Sequence, residues 1–176
     1  QLRALGAEPV VLDALDGRAV REAVKGAEPD AIIHQATALA NVRLGRNLDR
    51  TFAPTNRLRT EGTDNLLAAA QDASVRRFVA QSFASLRYAR EGGMVKSEED
   101  PLDPDPLAKT RETNAAMRHL DQAVTDAGGI ALRYGGFYGA SNDGVVGPVR
   151  KRQFPIVGDG GGFSSFVHLD DAAAAT

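Results

Sequence analysis

The sequence contains no cysteine, which excludes disulfide bridges and thiolate metal sites. It has no run approaching the roughly 20 apolar residues that a bilayer-crossing helix needs. Basic residues hold no excess either. Twenty-one lysines and arginines against 23 acids leave a net charge of −2, which argues against a nucleic-acid partner gripped by its phosphates. Lysine is scarce, occurring only as Lys25, Lys96, Lys109 and Lys151. What is present is ordinary for a globular protein: 43% hydrophobic and 25% charged residues over 176 positions. That length suits one core-bearing domain rather than two. A cytoplasmic location, with no membrane partner, is the expectation. The chain opens at Gln1 in what reads as a helix end and closes at Thr176 in what reads as a helix start. An interior piece of a longer protein is therefore expected.

Four continuous apolar runs stand out: PVVLD (9–13), DAIIHQA (30–36), RRFVAQS (76–82) and GIALRYGGFYG (129–139). Continuous rather than alternating apolar residues mark strands buried on both faces. Helical patterns lie between them: GRAVREAVKGA, then NRLRTEGTDNLLAAAQDA, then LAKTRETNAAMRHLDQAVTDAG. The third presents Ala116, Leu120, Val124 and Ala127 on one face and stops at Gly128-Gly129. Alternating strands and helices predict an α/β fold, a doubly wound parallel sheet. After Tyr138 the chain turns glycine-rich, with short strand-like pieces FPIVG and FSSFVHL. We divide it into an α/β domain, 1–139, and the start of a smaller, loop-rich lobe, 140–176.

Ligands of open parallel sheets bind beyond the carboxyl ends of the strands. Here those ends carry Asp13, then His34 and Gln35, then Gln81 and Ser82, then Arg133 and Tyr134. Polar residues closing four apolar strands predict one crevice, although each alone also suits a strand meeting solvent.

In order and spacing these segments resemble the extended short-chain dehydrogenase/reductases, the NAD-dependent epimerase/dehydratase group. VVLDALD is similar to the family's third strand, AIIHQATAL to its fourth strand with a His-x-Ala signature at His34 and Ala36, and RTEGTDNLLAAAQDASVRRFVAQS to the helix and fifth strand that follow. ALRYGGFYG and FVHLDDAAAA resemble the sixth strand and the block after it. The resemblance implies an NAD or NADP cofactor held by Asp13, Ala36, Thr37, Arg59, Ser82, Lys109 and Tyr134, and a small, sugar-like substrate. Asp13 would lie beside the adenine and Tyr134 beside the nicotinamide, or else under the second lobe. It also implies a homodimer paired through the helices around 60–71 and 108–127. Lys109 stands where the family's Tyr-x-x-x-Lys pair has its catalytic lysine, which holds the cofactor ribose and helps shift a phenol, with an ordinary pKa near ~10, toward neutrality.

The same resemblance exposes three departures. Asp105 stands four residues before Lys109 in place of tyrosine, Phe83 falls on the Ser/Thr position, and Arg59 replaces the usual asparagine. The family's glycine-rich phosphate turn has no counterpart, and GDGGG (158–162) reads as a hairpin loop. Without the first two strands of the order 3-2-1-4-5-6, PVVLD lacks its neighbour. The expectation is a retained cofactor crevice with altered proton-transfer groups: an oxidoreductase or epimerase, or a dinucleotide-binding sensor that has lost chemistry. Asp105 reads as an exposed loop residue, Tyr88 as the nearest other phenol, and His34 as structural. His168 with Asp170 is too sparse for a metal site, and Asp170 or Asp171 reads as a helix cap.

Overall fold

The computed structural model describes residues 2–39, 47–85, 87–139, 146–152, 161 and 163–176. It divides into two compact units, each discontinuous in sequence. The first comprises Gln1–Ala80 and Lys109–Ala131, the second Gln81–Ala108 and Leu132–Thr176.

In the first unit, helix α1 (Gly17–Ala27) starts on Asp16, whose carboxylate accepts from the backbone N–H groups of Arg18 and Ala19, and ends with Glu28 in the left-handed region. Strand β1 (Ala31–His34) pairs in parallel with β2 (Arg77–Phe83), matching Ala31 with Arg77 and His34 with Ala80. Between them the chain forms α2 (Leu48–Arg57), a π-helical turn (Leu58–Gly62) and α3 (Thr63–Asp72) without a break. Asn47 caps this run, and Pro54 sits inside α2 just ahead of the π turn. Proline has no N–H, so the i→i−4 bond to the Arg50 carbonyl is missing at this point of the helix. Helix α4 (Arg111–Asp126) and strand β3 (Ile130–Tyr134) follow, giving the sheet order β1-β2-β3; the last residues of β2, from Gln81, and of β3, from Leu132, are counted with the second unit.

The core gathers Ala70 from α3, Phe78 and Ala80 from β2, and Leu120 and Val124 from α4, with Ile32, Leu66, Leu67, Val75 and Ala131 half-buried against it. The face expected on α4 is borne out at Ala116, Leu120 and Val124, whereas Ala127 lies past the helix end and is exposed. Gly129 permits the close return of the chain. A Cβ there would lie 2.7 Å from the Phe78 carbonyl oxygen and 3.0 Å from a Val124 methyl.

In the second unit, strands β4 (Gly136–Tyr138) and β5 (Phe166–His168) pair in parallel. A five-residue helix α5 (Val146–Arg150) lies between them in sequence, and α6 (Leu169–Ala175) follows β5. The run 129–139 is thus two strands broken at Gly135, where a Cβ would sit 2.6 Å from the Ser165 carbonyl oxygen.

The α/β class with parallel strands is as expected, but PVVLD forms no strand. Val10 is 63% and Val11 fully exposed, and no neighbouring strand among the described residues offers them a ladder. An isolated strand leaves every backbone group to water, so the apolar run alone cannot hold the extended form. The cap of α6 also differs: His168 Nδ1 accepts from the Asp170 N–H, while Asp170 and Asp171 occupy the first turn. FPIVG and most of GDGGG lie outside the described residues, and FSSFVHL is a strand only at 166–168. No helix among the described residues is long and apolar enough to cross a membrane.

Candidate functional site

The carboxyl end of β1 is held by His34, which keeps 3% of its surface. Its Nδ1 accepts from the Ala36 N–H at 3.4 Å, and its ring also bonds the Leu58 backbone in the π turn. A ring nitrogen that accepts leaves the proton on the other, so the neutral Nε2–H tautomer fits both partners. Burial lowers the imidazole pKa, and the Leu58 bond opposes that only in part. The burial expected of His34 is present, and its ring is bonded on both sides. Just beyond it Ala36 and Thr37 are exposed, and the Ala38 N–H donates to Thr55 Oγ1 at 3.1 Å. A short, small, exposed loop tied down at both ends suits the close passage of a ligand.

From α2 a buried polar network runs to the start of α4. The Asp49 N–H donates to the Lys109 carbonyl at 3.0 Å. Its carboxylate accepts from the Glu112 N–H at 3.1 Å and from both the N–H and the hydroxyl of Thr113 at 2.8 Å. Desolvation, the largest single influence, pushes the Asp49 carboxyl up. Hydrogen bonds from Thr113, Glu112 and Arg111 outweigh it, and the group lies below its ordinary value. Asn56 Nδ2 donates to Thr113 Oγ1 at 3.2 Å, and Arg59 Nη1 donates to Asn56 Oδ1 at 3.3 Å. The side chain of Lys109 is exposed in the turn preceding α4. Of the expected cofactor residues, Arg59 and Lys109 are thus joined through Asn56, Thr113 and Asp49, and Ala36 is tied to His34. Asp13 is exposed, its carboxylate accepting from the Leu15 N–H at 2.9 Å, and nothing in this network includes it.

In the second unit the groups are more enclosed. Ser82 is buried and its hydroxyl accepts from Arg87 Nη1 at 3.0 Å; the same guanidinium donates to the Phe83 carbonyl at 3.2 Å. The Tyr134 hydroxyl donates to the Ala172 carbonyl at 3.0 Å and also bonds Thr176, while its ring packs against Phe137 at 5.4 Å. Of the two positions open to Tyr134, the second lobe is the one it contacts. The Ala84 N–H donates to the Tyr134 carbonyl at 2.9 Å. Tyr88 Oη accepts from Arg133 Nη1 at 3.3 Å. Asp105 is exposed in its loop, its N–H donating to Asp103 Oδ1 at 3.0 Å.

A dinucleotide fits the first-unit residues: an exposed lysine on a fixed turn, exposed small residues at a strand end and a half-buried arginine. It fits Ser82 and Tyr134 less well, since both hydroxyls are committed within the protein. Sequence reasoning missed Asp49, Thr55, Asn56 and Thr113, and it began the helix at Asn56, whereas α2 starts at Leu48. The bond from Asp49 to Thr113 spans 64 residues, so local spacing carried no signal for it.

A model of the NAD dependent epimerase/dehydratase family matches residues 2–176. The chain is 42% identical over 175 residues to a 3-diazoavenalumate denitrifying reductase from a Streptomyces species, covering 94% of this chain and 56% of that protein. Among solved structures it is similar to the UDP-glucose 4-epimerase of Thermotoga maritima with UDP-glucose, with TM-score 0.72 and 17% identity, covering 93% of this chain and 56% of the epimerase. It is also similar to a dTDP-glucose 4,6-dehydratase double mutant from Streptomyces venezuelae with NAD bound, with TM-score 0.70 and 23% identity over 98% and 55% of the two chains. The chain spans about half the length of the curated relatives it matches.

Proposed function

Because the chain belongs to the NAD-dependent epimerase/dehydratase family, we propose that it is the greater part of the cofactor domain of a nicotinamide-dependent reductase. In this reading the enzyme reduces a small electrophile without a protein phenol as proton donor, and the substrate class is an aromatic diazo compound. What carries the reading is the pair of replacements that the family resemblance implies, Asp105, which is exposed, where the tyrosine would stand and Phe83 where the hydroxyl would stand.

Proton bookkeeping decides between substrates. Epimerising or dehydrating a sugar requires a group that takes a hydroxyl proton, and losing one positioned acid/base typically costs ~10²–10⁴ in rate. When bound, the nicotinamide supplies a hydride. A carbonyl reduced by hydride must also gain a proton. An aryl diazonium group need not: the C–N bond breaks, dinitrogen leaves and the arene ends neutral with the hydride's hydrogen and electron pair. Replacing tyrosine and serine would then carry little penalty. The relative that acts on a diazo compound, by its name, is also 42% identical. Lys109 would hold the ribose hydroxyls, with Ala36 and Thr37 lying along the cofactor and Arg59 near a phosphate. The cofactor is NAD or NADP.

Two copies would pair through the face where Ala53, Thr60, Ala115 and His119 line an open groove of about 750 Å³. A cytoplasmic location accords with the family's nicotinamide chemistry. Light scattering of the full-length protein and of Ala115→Arg tests the pairing: a dimer that the arginine splits supports this face, and an unaffected dimer rejects it.

The chemistry is tested with cofactor deuterated at the transferring position, offered with an aryl diazonium salt, UDP-glucose and a carbonyl panel. Deuterium in the arene with release of dinitrogen, abolished or slowed in Lys109→Ala, is the expected result. Turnover of the nucleotide sugar instead would refute the proposal. A second reading, a sensor that binds dinucleotide without chemistry, is favoured by the same two replacements. Tight binding without transfer to any substrate would establish it.

A further inference from the structure

Helix α4 begins without a cap of its own. Thr110 occupies the cap position, but at φ −133° and ψ 3° its side chain makes no capping bond. The first N–H groups of a helix need acceptors, and the residue at the cap normally supplies one. Here the acceptor comes from Asp49, in the first turn of α2 and 7% exposed. Its two carboxylate oxygens take the N–H groups of Glu112 and Thr113, and its own backbone N–H takes the carbonyl of Lys109. One residue thus grips the chain on both sides of Thr110. Oδ1 also receives the Thr113 hydroxyl, whose oxygen in turn accepts from Asn56.

We infer that Asp49 is the positioning residue of Lys109: it fixes the turn from which the lysine reaches the cofactor ribose, an inference that rests on the reading of Lys109 as a cofactor ligand. A lysine carried on an already fixed turn binds without the added cost of ordering its backbone, leaving only its side-chain rotamers to be lost. The anionic carboxylate is needed for this geometry, because both facing groups are N–H donors. An amide at position 49 would set its own NH₂ against one of them.

The test is a double-mutant cycle in the full-length protein, read as NAD and NADP affinity by calorimetry, together with amide hydrogen exchange at Glu112 and Thr113. Lys109→Ala is expected to weaken binding about tenfold, the scale of a lost charged hydrogen bond. Asp49→Asn is expected to weaken it about fivefold in the native background and less than about twofold beside Lys109→Ala, since coupled residues are non-additive. It should also speed exchange at the two amides. Equal losses from Asp49→Asn in both backgrounds would mean a general structural role and overturn the inference. No loss in the native background, or unchanged exchange, overturns it as well. No loss from Lys109→Ala instead removes the cofactor reading of the lysine, a failure recognisable on its own. Should Asp49→Asn fail to fold, Thr113→Val keeps the carboxylate and removes one of its partners. The same cycle then expects a two- to threefold loss, again confined to the protein that retains Lys109.

Discussion

His34 is closed in at the end of β1, where protonation would leave a cation out of water and turn its accepting nitrogen toward the Ala36 N–H as a second donor. Burial holds its pKa below the ordinary value near ~6.5 despite the Leu58 bond. As pH falls through that ordinary value the unfolded chain takes up the proton while the folded one does not. Stability therefore declines with acidification until the folded pKa is passed, by at most about 1.4 kcal/mol per pH unit for one proton. Urea midpoints measured from about pH 8 down to about pH 5 should fall, and His34→Gln should flatten that limb while lowering the midpoint at neutral pH. Asp49 acts in a lower window. Its folded pKa is depressed, so its contribution is whole above the ordinary carboxylate value near ~3.9 and disappears as pH drops through the lower folded value. Asp49→Asn should thus destabilise at neutral pH and remove part of the acid limb. A variant whose acid limb matches the native one would contradict this role. The candidates Lys109, His34 and Ala36 could be named from the sequence because motif order points to them. The grip of Asp49 on Thr113 was not, since only the folded backbone brings α2 to the start of α4. Nor could spacing foresee that Arg87 would engage Ser82.

The elements around the core are specified by burial and close approach together. Leu120 and Val124 project from α4 onto Phe78 and Ala80 of β2, and Gly129 lets the chain double back within reach of both. Leu120→Ala should cost about 2–5 kcal/mol through lost transfer energy and a cavity. Gly129→Ala should cost about 1–3 kcal/mol by overpacking, because its nearest neighbour is a backbone carbonyl that cannot rotate away. Chemical denaturation of the two variants provides the check; a Gly129→Ala protein as stable as the native one would mean that the Phe78 carbonyl yields. Here the sequence was readable where local and tertiary forces agree. Strands β1, β2 and β3 are apolar and have ladder partners, and α4 stops at the glycines that mark its end. It misled at PVVLD, where apolar character has no partner strand among the described residues, and at α2, which begins at Leu48 although the helical pattern starts at Asn56.

At the scale of the chain, apolar burial is unevenly shared. Of the buried hydrophobic residues among those described, Val20, Ala69, Ala70, Phe78, Ala80, Ala116, Met117, Leu120 and Val124 belong to the first unit, and only Tyr134 and Ala172 to the second. Among its described residues the second unit shows instead polar ties, such as Arg87 to Ser82 and Tyr134 to α6, whose net worth is about 1 kcal/mol each. It should be the first part to open. The chain reports this separation itself, since it has no tryptophan and its three tyrosines, Tyr88, Tyr134 and Tyr138, all lie in the second unit. The long helices α1 to α4, which dominate far-ultraviolet circular dichroism, lie in the first. In a urea titration the tyrosine signal should therefore change at lower denaturant than the helical signal, and Leu120→Ala should move the helical transition toward it. Coincident native transitions would instead mean that the chain unfolds as one cooperative body. In that case polar ties and the continuity of β2 and β3 through both units would outweigh the uneven core.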